Sequence, residues 1–376
     1  MDSGDKQGAE QLADRDVLIV IDDVWNRAHL TPFLQGGEHC ARLITTRNSD
    51  TLPPKTTQIN LDAMRQAEAI SLLKFDILDE EDSEIKKLAH RLGKWPLLLK
   101  LVNATLRERV NIRGQSLSAA LAYVNKALDK RGLTAFDSRN PEERSQAVSI
   151  TLKVSIDLLN EDEINRFSEL AIFPEDVDIP LEVVEKLWSH AGYDDFDTEA
   201  LCERLHQFSL LLNFDPVTNH IRLHDVVRYY LLIEQSSQLP SIHQRFLNAY
   251  RLKDWTQLPP VEPYLWDFLA YHLFESKQTQ TLRNLLFNYS WLDIKLSVSD
   301  VNSLLSDFDF FPEDSELKMI QGALRLSSNQ LTHDRGQLSS HLIGRLQSHK
   351  SSNIESLLTQ SMFVENSRML PLFRTF

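Results

Sequence analysis

Two adjacent carboxylates, Asp22 and Asp23, are the residues whose type and position most directly suggest chemistry. They follow a run of apolar, mostly β-branched residues, Val17 to Ile21, which predicts a fully buried strand of a parallel sheet. Ligands bind at the carboxyl ends of such strands. One carboxylate there can hold a hydrated Mg²⁺ beside phosphates and a second can orient a water, so the pattern predicts a Walker B strand. The structural alternative is an Asp that caps a helix or closes a turn.

Arg47 ends the next strand candidate, which begins at Arg42. Its guanidinium could reach the same sheet edge as the two carboxylates and bind a terminal phosphate. The alternative is a surface arginine paired with a carboxylate. A third strand is predicted over Thr57 to Leu61, and the alternation of strands with connectors is typical of an α/β domain.

From residue 62 the apolar period becomes helical, and Gly93 and Pro96 mark a joint between two helices. Gly93 is expected just past the end of a helix over residues 83–92, and Pro96 near the first position of the next. The joint has a structural interpretation as a helix-turn-helix corner. Its functional interpretation is a surface on which an adenine ring packs.

The segment 144–235 predicts four helices, a hairpin over residues 214–221 and a last helix capped by Asp225. The helices are expected near residues 147–159, 162–173, 180–190 and 198–211. Helices followed by a β-wing predict a winged-helix domain. Such domains often bind DNA, but this segment carries seven Lys and Arg against eighteen Asp and Glu, which would repel a phosphate backbone.

Composition excludes several other classes of protein. The net charge of −14 opposes bulk attraction to nucleic acid or anionic membranes. The apolar runs, about five residues at most, are far shorter than the roughly 20 that a membrane helix needs. Cys40 and Cys202 have neither disulfide nor zinc spacing, and Met1 to Glu10 lacks an apolar signal core, so a cytoplasmic setting is expected.

A short polar linker, residues 236–241, is expected to precede further helices that extend to about residue 350. Tyr264, Phe268 and Tyr271 recur at helical spacing, which predicts helix-pair core rather than a cofactor site. Stacked helices in this position are typical of a rigid arm or adaptor.

Taken together and in this order, the motifs resemble the NB-ARC branch of the signal-transduction ATPases with numerous domains (STAND), over about residues 11–350. This branch includes plant resistance and apoptotic-factor-like proteins. The resemblance implies that Asp22 holds Mg²⁺ through water, that Asp23 positions the attacking water and that Arg47, in the Leu43 to Arg47 sensor strand, contacts the terminal phosphate.

The later motifs also match this family. Gly93-x-x-Pro96 resembles the GxP motif, which would place Pro96 against the adenine. Leu223-His224-Asp225 resembles the Met-His-Asp motif, with a volume-conserving Leu, so His224 would reach the β-phosphate of ADP. The resemblance implies switch or structural roles for three more residues, Trp25, Thr46 and Asp225.

The resemblance implies a mainly α fold with a partial α/β part, a remnant of a P-loop NTPase sheet. The expected domains are a partial nucleotide-binding domain (1–61), a helical domain with the GxP motif (62–143), a winged helix (144–235), an apoptotic-factor-like helical domain (236–350) and a tail leading toward absent WD repeats (351–376).

The sequence contains no G-x-x-x-x-G-K-[ST] phosphate loop. Each charge-assisted contact is worth about 1.5–3 kcal/mol, so the loss of three or four would weaken binding of ADP or ATP with Mg²⁺ by about 5–10 kcal/mol. Hydrolysis by this chain alone is therefore not expected. The family's first strand is also missing, so its two neighbours either pair directly or leave open edges. We expect a truncated or split gene, with the first 60 residues the least stable.

Two hypotheses of function follow. The first is a fragment of an ADP/ATP-dependent switch in regulated oligomer assembly, as in apoptosis- or immunity-like signalling. The second is a non-enzymatic scaffold made of the winged-helix and helical parts. The expected partners are proteins, either in a homo-oligomer or as a chain that supplies the missing NTPase half, and neither nucleic acid nor a membrane is expected.

Overall fold

The computed structural model describes residues 16–37, 39–46, 48–59, 64–77, 82–133 and 141–363. The chain divides into two compact units, Met1–Leu61 and Asp62–Phe376. Most described residues are helical, and the described strands form one parallel pair and one three-stranded antiparallel sheet. The predicted fold class, mainly α with a partial α/β part, is confirmed.

The first unit contains two parallel strands, β1 (Leu18–Ile21) and β2 (Ala41–Ile44), which pair directly. Between them lie a short helix, α1 (Arg27–Leu30), and a 3-10 turn, Thr31–Leu34. The Asn26 side chain caps α1 by accepting the Ala28 amide at 2.9 Å. Of the two arrangements expected for these strands, direct pairing is therefore the one observed.

Two predictions for the first unit are wrong. The strand over Val17 to Ile21 is not fully buried: Leu18 is 59% exposed and Val20 58%, because β2 is its only described neighbour and one face of the pair is open. The third strand does not form either. Residues 57–59 are irregular and pair with no described strand, and residues 60 and 61 lie outside the described residues.

The second unit begins with helices that surround α4. These helices are α2 (Gln66–Leu73), α3 (Asp82–Arg91), α4 (Pro96–Arg107), α5 (Leu117–Lys130) and α6 (Pro141–Ile156). Helix α4 is buried around most of its circumference and packs against α2, α5 and α6, which explains its run of leucines. The buried Asn103 amide donates to the carbonyls of Leu73 at 3.0 Å and Phe75 at 2.9 Å, so its polar group is satisfied.

The next part, residues 161–234, is here called the hairpin region. Its elements are α7 (Glu161–Glu169), β3 (Ile179–Pro180), α8 (Leu181–Trp188), α9 (Asp195–Gln207), β4 (Asn213–Asp215), β5 (His220–Arg222) and α10 (Asp225–Glu234). The three strands are antiparallel in the order β3-β5-β4, so the predicted hairpin is confirmed. Asp215 accepts the amides of Val217 and Thr218 and closes the turn.

Local contacts shift three of the predicted helix ends. Helix α9 begins earlier than predicted because the Asp194 side chain caps it, accepting the Asp197 amide at 2.9 Å. The α-helix expected to reach Phe173 ends at Glu169 and continues as a 3-10 turn. The prediction that Asp225 caps α10 is wrong, because His224 has the extended backbone and the side-chain bond of an N-cap and Asp225 is the first helical residue.

In the C-terminal part, the described residues form helices and 3-10 turns and no strands. The helices are α11 (Leu239–Ala249), α12 (Pro263–Glu275), α13 (Thr279–Leu286), α14 (Tyr289–Val298), α15 (Val301–Phe308), α16 (Ser315–Leu326), α17 (Ser328–His333), α18 (Leu338–Leu346) and α19 (Ser352–Met362). The predicted polar linker is wrong in its second half. Helix α11 already begins at Leu239, with Pro240 in its first turn, where the missing N–H costs nothing. Tyr264 is buried as predicted, while Phe268 and Tyr271 are half-buried.

Candidate functional site

The carboxyl ends of β1 and β2 bring Asp22 and Asp23 together around the hydroxyl of Thr45. This hydroxyl donates to Asp22 Oδ1 and accepts the Asp23 amide at 2.8 Å. The Trp25 indole N–H donates to Asp23 Oδ2 at 2.8 Å. Both aspartates are exposed, so their carboxylates are accessible to a hydrated cation while a fixed network orients them.

Strand register explains this arrangement. Ile21 lies opposite Ile44, so the residues that follow each strand meet at one edge. Asp23 then has a left-handed backbone (φ 49°), which ends the strand, and the Val24 amide donates to the Thr45 carbonyl at 2.9 Å. The Thr46 hydroxyl donates to the Val24 carbonyl at 2.6 Å and closes the edge. The predicted contribution of Arg47 lies outside the described residues.

Gly93 and Pro96 form the helix joint that the sequence predicts. Gly93 has a left-handed backbone (φ 60°), its amide donates to the His90 carbonyl at 3.0 Å, and the Lys94 amide donates to Ala89 at 2.9 Å. These two bonds make a Schellman motif that ends α3. Pro96 opens α4 and is half-buried, so part of its ring remains accessible.

His224 lies at the start of α10 with its ring orientation fixed. Its Nδ1 accepts the Val226 amide at 3.3 Å, and the neutral ring therefore carries its proton on Nε2. Nε2–H is the kind of donor that can bind a phosphate oxygen. Asp225 Oδ1 lies 3.5 Å from His224 Nδ1, and both side chains are half-buried.

Helix α6 connects the Gly93 joint to the His224 helix. The Ser155 hydroxyl donates to the Leu101 carbonyl of α4 at 3.3 Å. On the other side, Lys153 Nζ lies 3.4 Å from Glu234 of α10. The predicted residues thus form three groups: the β1–β2 edge in the first unit, the α3–α4 joint, and the start of α10.

Sequence reasoning missed two residues that hold these groups in place. Thr45 connects both aspartates, and its only sequence signal is the Thr45-Thr46 pair at a strand end. Arg228 donates to the buried Phe173 carbonyl and, at 3.2 Å, to Tyr271 of α12, so it ties the hairpin region to the C-terminal helices. Its signal is its position one helical turn after His224.

The donor set at the β1–β2 edge fits a cation that keeps its water, because two exposed carboxylates supply the oxygen ligands that Mg²⁺ prefers. The chain has no glycine-rich phosphate loop to complete a nucleotide site. Among the described residues, no helix has the length and apolar character needed to cross a membrane.

Most of the chain is similar in sequence to known proteins. Residues 239–360 match the family model of the APAF-1 helical domain. Human apoptotic protease-activating factor 1 is 26% identical over 310 residues, which are 77% of this chain and 23% of that protein. The Arabidopsis thaliana disease resistance protein ADR1 is 23% identical over 299 residues, or 76% of this chain and 36% of that protein. This chain is a relative of the NB-ARC signalling NTPases.

A bacterial protein is also similar to this chain. The regulatory protein AfsR of Streptomyces coelicolor is 28% identical over 220 residues, which are 57% of this chain and 20% of that protein. The chain of this protein spans about a quarter of the length of apoptotic protease-activating factor 1.

Proposed function

We propose that this chain is the nucleotide-sensing core of an ADP/ATP-dependent switch that controls regulated oligomer assembly. The observation that carries the proposal is the pair of exposed carboxylates, Asp22 and Asp23, held by Thr45 at the carboxyl edge of two parallel strands. This is where a Mg²⁺-nucleotide is bound in sheets of this type. The relatives described above support a member of the signalling NTPases.

Each motif has a proposed role. Asp22 binds a Mg²⁺ water and Asp23 positions the attacking water in a complete site. Gly93 and Pro96 form a surface on which the adenine packs, and Arg47 contacts the terminal phosphate. The fixed Nε2 donor of His224 supports its proposed contact with the β-phosphate of ADP.

The hairpin region is proposed to act as a winged helix that ADP holds in a closed state. A nucleotide shifts such an equilibrium only through contacts that differ between the closed and open states. A donor on the hairpin region that binds the β-phosphate, together with a γ-phosphate sensor on the sheet, would supply that difference. The partners proposed are further copies of the chain, or a chain that carries the phosphate loop, in a cytoplasmic setting.

A protein-interaction scaffold is the second candidate function. It is favoured by the large continuous core of the second unit and by the sequence's lack of a phosphate loop, which we estimate to weaken nucleotide binding by about 5–10 kcal/mol. In this alternative the hairpin region and C-terminal helices act without nucleotide, and hydrolysis plays no part.

The test is a titration of the chain with ADP and Mg²⁺. NMR monitors the signals of the histidine rings and of the backbone amides at the β1–β2 edge. We expect binding in the millimolar range that shifts the ring of His224 and weakens at least about threefold in His224→Ala. The matched control is His333→Ala, which replaces an exposed histidine that contacts its own helix carbonyl. If the His224 ring and the Asp22 amide are both unaffected at ten-millimolar ADP, the sensing function is wrong and the scaffold is favoured.

A further inference from the structure

A cavity of about 490 Å³ lies in the hairpin region, away from the residues proposed to sense nucleotide. It is formed by the start of α8, the first half of α9, the β4–β5 turn and Pro263 at the start of α12. Its volume is within the range of about 300–1,000 Å³ that is typical of ligand pockets. The elements that form its wall are distant in sequence, and the tertiary fold brings them together.

The wall of this cavity is acidic. Four carboxylates line it, and none of them makes an ion pair within the described ranges; they are Glu182, Glu185, Asp195 and Glu199. Lys186 is the nearest lysine in sequence. Its ammonium lies over the Tyr250 ring, 5.6 Å from the ring centroid. Burial raises the pKa of Glu262, beside Pro263; the charge of Lys186 lowers it and the charge of Glu182 raises it.

Thr198 adds a second and independent observation. It lines the cavity, is 1% exposed, and its hydroxyl has no hydrogen-bond partner in the part of the chain that the structure describes. A buried hydroxyl without a partner costs free energy, so such a group is expected to be satisfied by something that enters the cavity. Its oxygen can accept a hydrogen bond from a cationic donor.

Three large apolar residues next to cavity residues in sequence have side chains that stand out in solvent. Phe196 is 76% exposed, Val217 90% and Val261 81%, and each lies one or two residues from a cavity residue. Consecutive Cα atoms are about 3.8 Å apart, so these side chains are within reach of one bound segment. Exposed aromatic and aliphatic groups beside a polar pocket are typical of protein-binding surfaces.

We propose that this cavity binds a basic segment of a partner protein, with an arginine or lysine side chain seated among the four carboxylates. The guanidinium or ammonium donates to the carboxylates and to the Thr198 hydroxyl. The apolar residues that flank the basic side chain in the segment pack on Phe196, Val217 and Val261. The occupant is a polypeptide rather than a free cation, because these exposed apolar side chains would otherwise remain in water.

The test is fluorescence anisotropy of a short, fluorescein-labelled peptide of alternating arginine and leucine, titrated with the full chain at physiological salt and without nucleotide. We expect saturable binding, and at least about tenfold weaker binding to the Glu185→Lys/Glu199→Lys variant. Both positions lie inside helices rather than at their caps, so folding should persist; circular dichroism checks this.

The matched control is Glu313→Lys/Glu355→Lys, which changes the net charge equally at two exposed carboxylates of the C-terminal part, one in the turn before α16 and one in α19. It should weaken binding less than about twofold. Phe196→Ala leaves the charge unchanged and should weaken binding about fivefold. A peptide with glutamate in place of arginine should not bind.

Three results would overturn the proposal. The first is no binding of the arginine peptide at millimolar concentration of the chain. The second is equal weakening by the cavity variant and its control, which would indicate bulk charge. The third is concentration-dependent sedimentation that Glu185→Lys/Glu199→Lys abolishes, which would assign the surface to a second copy of the chain.

Discussion

The buried ion pair between Lys295 and Asp307 gives a prediction whose magnitude follows from the structure. Lys295 of α14 and Asp307 of α15 are both buried, and Nζ lies 2.5 Å from Oδ2. Two charges without water are stable there only because each has the other. If one is removed, the remaining charge stays in an apolar environment, and the cost is about 3–5 kcal/mol.

We therefore expect Lys295→Met and Asp307→Leu each to reduce the free energy of unfolding of the C-terminal helices by about 3–5 kcal/mol. At about 2–4 °C per kcal/mol, the melting temperature should fall by about 6–20 °C. The double variant should lie within about 1 kcal/mol of the parent, because two apolar side chains replace a pair whose attraction only offsets its desolvation.

The assay is urea unfolding followed by near-UV circular dichroism. Trp291, one turn before Lys295 on α14, stacks on Trp266 of α12 with centroids 4.6 Å apart, so the signal reports on packing beside the pair. Single variants that cost less than about 1 kcal/mol would refute the reasoning, since the pair would then be solvated. A double variant as unstable as the singles would assign the loss to shape rather than to unpaired charge.

Three further predictions concern acid stability, a backbone position and a connection between regions. Because burial lowers the pKa of His243 to about 3, the unfolded state binds this proton more tightly than the folded state, so the free energy of unfolding should fall as pH drops from about 7 to 4.5 in urea titrations, and should fall less in His243→Leu. Gly93→Ala should cost about 1 kcal/mol in thermal unfolding because φ is positive, whereas Gly344→Ala, at an exposed position of α18 where a Cβ would meet open space, should stabilise by about 0.5–1 kcal/mol. Arg228→Met should cost about 2–3 kcal/mol and expose the α10–α11 junction to limited proteolysis, and unchanged cleavage would contradict its proposed connecting role.

The sequence predicted well those features that depend on a few neighbouring residues. The left-handed Gly93, Pro96 at the first position of α4 and the turn after Asp215 all follow from local backbone preferences. It predicted less well where two local solutions compete. His224 rather than Asp225 caps α10, because an imidazole nitrogen can accept the same amide.

By itself, the sequence determined the order of strands, helices and hairpin and the positions of the motifs, because periodicity and capping act over about four residues. Only the tertiary structure decided which partners those residues meet. Thr45 joins Asp22 across 23 residues, and Arg228 reaches Phe173 across 55. Lys295 finds Asp307 only because α14 packs against α15. Such contacts depend on how elements dock, and docking is set by the packing of the whole apolar core rather than by any local pattern.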